Sequence, residues 1–120
     1  MKSLKTILTL ITITAMLGIF KSFFTSESDN GLSEKINGKT FLVDVRSPQE
    51  FASGSVKGAV NIPLDRVQSE LNKFKNKENI VVFCRTGNRS GQAKSILEKY
   101  GISNVINGGS WQNVNQFVNN

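Results

Sequence analysis

Cys84, the only cysteine of a 120-residue chain, ends an apolar run and is followed by Arg85, Thr86, Gly87, Asn88, Arg89 and Ser90. A cysteine nucleophile ordinarily draws on a histidine to shed its proton, and this chain contains no histidine. Those two counts exclude Ser-His-Asp and Cys-His catalysis, histidine metal ligands, an internal disulfide and a two-cysteine redox cycle. Activation of Cys84 must therefore come from backbone N–H groups, the N-terminus of a following helix and the cations Arg85 and Arg89. A loop of this length can wrap its amides around the sulfur, with Gly87 and Asn88 able to take positive φ. Every one of these groups favours the anion, so the pKa of Cys84 is expected well below the free value of about 8.5. The competing reading is a small apolar core residue at a strand end. Two arginines and a glycine are poor packing material and good anion ligands, which favours the nucleophile.

Such a loop needs a strand before it and a helix after it. Residues 80–83 (IVVF) form the strongest strand signal in the chain, apolar enough to be buried on both faces. In open parallel sheets ligands gather beyond the carboxyl ends of the strands, where this run delivers Cys84. Ala93, Ile96, Leu97 and Tyr100 then recur at helical spacing, with Gly101 as the C-terminal cap. Upstream, Thr40 to Val45 reads as a buried strand, and Ser47-Pro48-Gln49-Glu50 reads as a helix start with a capping box. A short strand is expected from Ala59 to Ile62, and an amphipathic helix on Leu64, Val67, Leu71 and Phe74. Downstream come a strand from Asn104 to Ile106, a turn at Gly108-Gly109, and a helical stripe on Trp111, Val114 and Phe117. The alternation predicts an α/β fold: one domain with a mainly parallel central sheet flanked by helices.

The first 28 residues are of different material. Lys2 and Lys5 precede fourteen uncharged residues from Ile7 to Phe20, the order of a secretory signal and short for a bilayer span of about 20 residues. Cleavage after Ser28 is expected; the alternative is an uncleaved anchor from Ile7 to Phe24, interrupted by Lys21 and Ser22. Either places the domain, residues 29–120, outside the cytoplasm. Of the net charge of +6, residues 29–120 keep +4. Those charges are scattered, and Lys73, Lys75 and Lys77 have no interleaved aromatics, so no nucleic-acid partner is expected.

The Cys84-x-x-Gly87-x-Arg89 loop, the stretch Leu42-Val43-Asp44-Val45-Arg46 with Glu50-Phe51, the stretch Gly58 to Leu64 (GAVNIPL) and Gly108-Gly109 before Trp111 together resemble the rhodanese family of sulfurtransferases. Within that family the chain is similar to the single-domain periplasmic kind of the phage shock protein E type. The resemblance runs from about Thr40 to Trp111. It implies a thiosulfate sulfurtransferase in which Cys84 carries the sulfur as a persulfide and passes it to cyanide in an assay or a thiol in the cell. Arg85, Thr86, Gly87, Asn88, Arg89 and Ser90 would bind the anionic substrate, with Arg85 facing it and Arg89 tying the loop to the first helical turn. No cofactor or metal is implied, a monomer is expected, and a membrane tether only if the N-terminal segment stays attached. Gly54-Ser55 stands where many members have Gly-His, and the short stretch before Thr40 implies an abbreviated first strand and helix.

Two further functions compete. A cysteine-dependent phosphatase would use a Cys-x5-Arg loop, one residue longer than the interval from Cys84 to Arg89. A persulfide carrier without free turnover needs the same loaded cysteine. Asp44 and Arg46 could line the pocket or be structural, Arg46 then pairing with Glu50 on the next turn. Trp111, on its apolar stripe, reads as core rather than ligand.

Overall fold

Four strands, β1 (Thr40–Asp44), β2 (Val60–Asn61), β3 (Asn79–Cys84) and β4 (Val105–Ser110), lie parallel in the order β2-β1-β3-β4. The computed structural model describes residues 31–32 and 36–118; residues 1–28, expected to direct export, lie outside the described residues. Among the described residues, the α-helices between and after the strands are α1 (Pro48–Ala52), α2 (Asn88–Lys99) and α3 (Trp111–Val118). This is the expected single α/β domain.

Residues 80 to 84 of β3 are fully buried, and they alternate between two cores as the period of a strand requires. Ile80, Val82 and Cys84 join Val43, Val45, Ile62, Val67, Phe74, Ala93 and Leu97 on one face. Val81 and Phe83 join Leu42, Val56 and Val114 on the other. With apolar residues needed on both faces, the continuous run IVVF is the pattern of an inner parallel strand.

Local signals account for the helix ends. Ser47 Oγ accepts the Glu50 N–H at 3.2 Å while Glu50 Oε1 accepts the Ser47 N–H at 3.2 Å, the reciprocal capping box. At the end of α2, the Gly101 N–H donates to the Glu98 carbonyl and the Ile102 N–H to that of Leu97, closing the helix as expected. Tyr100 stands past the last turn and is exposed rather than part of the buried face.

Two expectations fail. The stripe Leu64, Val67, Leu71 and Phe74 forms not one α-helix but two 3₁₀ segments, Leu64–Arg66 and Gln68–Lys73, with Glu70 off helical angles. Its spacing of three and four residues suits i to i+3 bonds, and the Ser69 hydroxyl takes up the Arg66 carbonyl at 3.0 Å, competing with a longer ladder. Gly108-Gly109 is not a turn but the bulged end of β4: Val82 pairs with Asn107 and Cys84 with Ser110, so two steps on β3 face three on β4. A side chain at Gly108 would place its Cβ 2.5 Å from Val114 Cγ2 and 2.9 Å from Val81 Cγ1. The missing side chain is what lets α3 close over the sheet.

Gly108→Ala should therefore destabilise the protein by about 1–3 kcal/mol through overpacking. The check is urea unfolding at neutral pH, and an unchanged midpoint would show that α3 can shift freely.

Candidate active site

Strand parity points the Cys84 side chain toward the α2 side of the sheet, at the carboxyl edge. Only Arg85, Thr86 and Gly87 separate β3 from α2, so the connection is shorter than the seven residues expected. Gly87 alone takes the positive φ, +96°, as the N-cap of α2, and Asn88 is already helical. A Cβ at Gly87 would also come within 3.3 Å of Gly109 Cα, so both conformation and space demand glycine there.

The thiol is fully buried. Sγ accepts the Gly87 N–H at 3.1 Å and lies 3.4 Å from Ser90 Oγ. Burial pushes the thiol pKa up, yet hydrogen bonds from the Ser90 hydroxyl and from the amides of Ser90, Thr86 and Gly87 outweigh it, and the net shift is downward. These hydrogen bonds favour the thiolate without any basic side chain.

Two further side chains hold this cradle in place. Ser90 Oγ lies 2.7 Å from Asn107 Oδ1, which also accepts the Gly109 N–H at 3.0 Å, while Asn107 Nδ2 donates to the Gly87 carbonyl at 3.0 Å. Arg89 donates to both carboxylate oxygens of Glu50, at 2.7 and 3.0 Å. This fork ties the first turn of α2 to α1. Arg85, Thr86 and Asn88 are exposed, and Arg85 forms no ion pair among the described residues. Among the described residues, no group of three or more Cys, Asp or Glu side chains is placed to hold a metal ion.

Residues 28–116 match the sequence model of the rhodanese-like domain. The chain belongs to the rhodanese-like family. A thiosulfate sulfurtransferase of Escherichia coli (strain K12) is 36% identical over 74 residues, spanning 60% of this chain and 71% of that protein. Among solved structures, a rhodanese with anions from E. coli superimposes with a TM-score of 0.57 at 36% identity, over 62% of this chain and 89% of that one. A rhodanese-like domain protein of Staphylococcus aureus does so with a TM-score of 0.59 at 32% identity, over 76% and 86%. The rhodanese-like assignment places the chain among the sulfurtransferases.

In this rhodanese-like domain Asp44 and Arg46 are structural. Both are buried, at 0% and 4% exposure, and they pair with each other at 2.7 Å; Arg46 does not reach Glu50, which Arg89 holds instead. Asp44 Oδ2 also accepts the Ser55 hydroxyl at 2.7 Å, and Arg46 Nη2 donates to the Gly54 carbonyl at 2.6 Å. The Arg46 guanidinium lies 5.3 Å from the centre of the Trp111 ring, so Trp111 belongs to the scaffold and packs on the second core. Glu50 and Asn107 are the site residues that the sequence did not single out as such. For Asn107 a signal existed: a residue disfavoured in strands sits inside one, directly before Gly108-Gly109.

Glu50 has its pKa lowered from 4.5 to about 2, chiefly by the Arg89 hydrogen bond, with burial opposing and Ser47 assisting. A carboxyl with a depressed folded-state pKa stabilises the fold above its unfolded pKa, and that contribution is lost as pH falls toward 2. For this partly exposed pair, screening limits the contribution to about 1 kcal/mol. Glu50→Gln should thus be less stable than the parent by that amount at pH 7, with the gap closing as pH falls from 4.5 to 2. Urea unfolding of both proteins across that range is the check, and a gap independent of pH would remove the ion pair as its cause.

Proposed function

We propose that the protein is a thiosulfate sulfurtransferase that works through a persulfide on Cys84. The carrying observation is a sulfur with depressed pKa, cradled by loop amides and followed in the chain by Arg85, which is exposed and forms no ion pair among the described residues. The Cys84 thiolate attacks the outer sulfur of thiosulfate; a new S–S bond forms, the old one breaks, and sulfite leaves with its electron pair. A thiolate or cyanide acceptor then attacks the terminal sulfur, and the Cys84 thiolate departs as the leaving group. Thiosulfate is a small dianion suited to Arg85 and to the exposed polar side chains of Thr86 and Asn88. The loop amides that favour the thiolate also favour the anionic persulfide, so both resting states are stabilised by one cradle.

The phosphatase reading is weaker on this geometry. The arginine that such a loop would turn onto the phosphate is here engaged through both terminal nitrogens with Glu50. Export through residues 1–28 to the periplasm belongs to the same proposal and rests on Lys2, Lys5 and the uncharged run that follows.

Purified protein incubated with thiosulfate should gain the mass of one sulfur atom on Cys84 and convert cyanide to thiocyanate, and Cys84→Ser should lose both. Arg85→Ala should raise the thiosulfate KM about tenfold, the loss of one charge-assisted hydrogen bond, with an unchanged melting temperature. Mass spectrometry and steady-state kinetics are the measurements. Loading without thiocyanate would identify a carrier, and hydrolysis of an aryl phosphate without loading would overturn the assignment.

A further inference from the structure

Asn107 stands one residue removed from the sulfur, bonded to Ser90, to the Gly87 carbonyl and to the Gly109 N–H. Its side-chain orientation is determined by its neighbours. Nδ2 faces the Gly87 carbonyl, which can only accept, so Oδ1 must face Ser90 Oγ and the Gly109 N–H. The bulge in β4 is what turns Asn107 and Gly109 to make this fixed acceptor.

Ser90 has one hydroxyl hydrogen and two neighbours that could take it, Asn107 Oδ1 at 2.7 Å and Cys84 Sγ at 3.4 Å. Ser90 is fully buried, so water offers no third choice. While Cys84 is a thiol, its S–H donates to Ser90 Oγ, and the Ser90 hydrogen goes to Asn107. When the thiol proton leaves to solvent, the hydroxyl turns about its C–O bond and donates to the thiolate. Asn107 Oδ1 then keeps the Gly109 N–H, so neither state leaves a buried polar atom without a partner. In the persulfide the charge moves to the outer sulfur, and the Ser90 hydrogen returns to Asn107. No bond to hydrogen breaks in the turn itself.

We propose that Asn107 is a positioning residue of the sulfur-transfer reaction: a fixed acceptor that holds the Ser90 hydroxyl hydrogen whenever Cys84 is uncharged and yields it when the thiolate forms. The proposal deepens the sulfurtransferase reading and rests on it. Its test, however, requires no sulfur donor, so its failure and that of the thiosulfate assignment are separable. Charged groups around the sulfur, Arg85 in the loop, Arg89 of α2 with Glu50 of α1, Asp44 of β1 and Arg46 after it, are unchanged in every variant.

The experiment is titration of the thiolate by its ultraviolet absorbance in Asn107→Leu and Asn107→Asp, each made in the parent and in Ser90→Ala. Leucine removes the competing acceptor, so the Ser90 hydrogen stays on sulfur and the titration moves to lower pH; in Ser90→Ala the same change moves nothing. Aspartate keeps an acceptor and charges it, holding the hydrogen away from sulfur, so the titration moves to higher pH by more in the parent than in Ser90→Ala. Should Asn107→Leu fail to fold, the aspartate pair decides alone. Equal displacements in the two backgrounds, or no displacement in the parent, overturn the proposal.

Discussion

A sulfur anion at the end of a buried strand has no water to solvate it, and everything near Cys84 is arranged around that deficit. Burial by itself would raise the pKa and keep the thiol protonated. Here the opposite net shift arises because the chain turns from strand to helix within three residues and aims N–H groups and one hydroxyl at the sulfur. The N–H dipoles are rigid, cost little to reorganise, and would serve the thiolate and the proposed persulfide alike. A histidine could instead have removed the proton as a base. The dipolar solution leaves the positive charge to Arg85, outside the core.

The cradle keeps its geometry because its two ends are fastened to different parts of the fold. Gly87 leans on β4 through Asn107 and through its close approach to Gly109, while Arg89 grips α1 through Glu50. Glu50 serves twice, completing the cap of α1 and bonding α2, so a local helix signal and a long-range tie share one carboxylate. Across the sheet, the buried Asp44–Arg46 pair binds the end of β1 to the Gly54-Ser55 segment. Ser55 here supplies a hydroxyl to that pair.

How much of this was readable in the sequence follows from the range of the interactions. The alternation of β-branched runs and helical stripes, the Ser47–Glu50 capping box and the Gly101 stop are local patterns, and each appears in the fold. Spacing along the chain also suggests neighbours four residues apart, which is why the sequence pairs Arg46 with Glu50. The true partner, Arg89, is 39 residues away and reaches it only because β1 and β3 lie side by side. Ser90 and Asn107, 17 residues apart, meet for the same reason. The bulge was hidden because two glycines mark a turn and a strand irregularity equally well. The segment from Leu64 to Phe74 failed because its apolar spacing suits a 3₁₀ path as well as an α-helical one.

Trp111 is the only tryptophan of the chain, and its ring faces the Arg46 guanidinium at the junction of β1, the Gly54-Ser55 segment and α3. Indole emission is sensitive to a nearby cation and to the polarity around the ring. The protein therefore carries an intrinsic optical probe that reports on one joint of the scaffold, on the face of the sheet opposite the sulfur, with no dye attached.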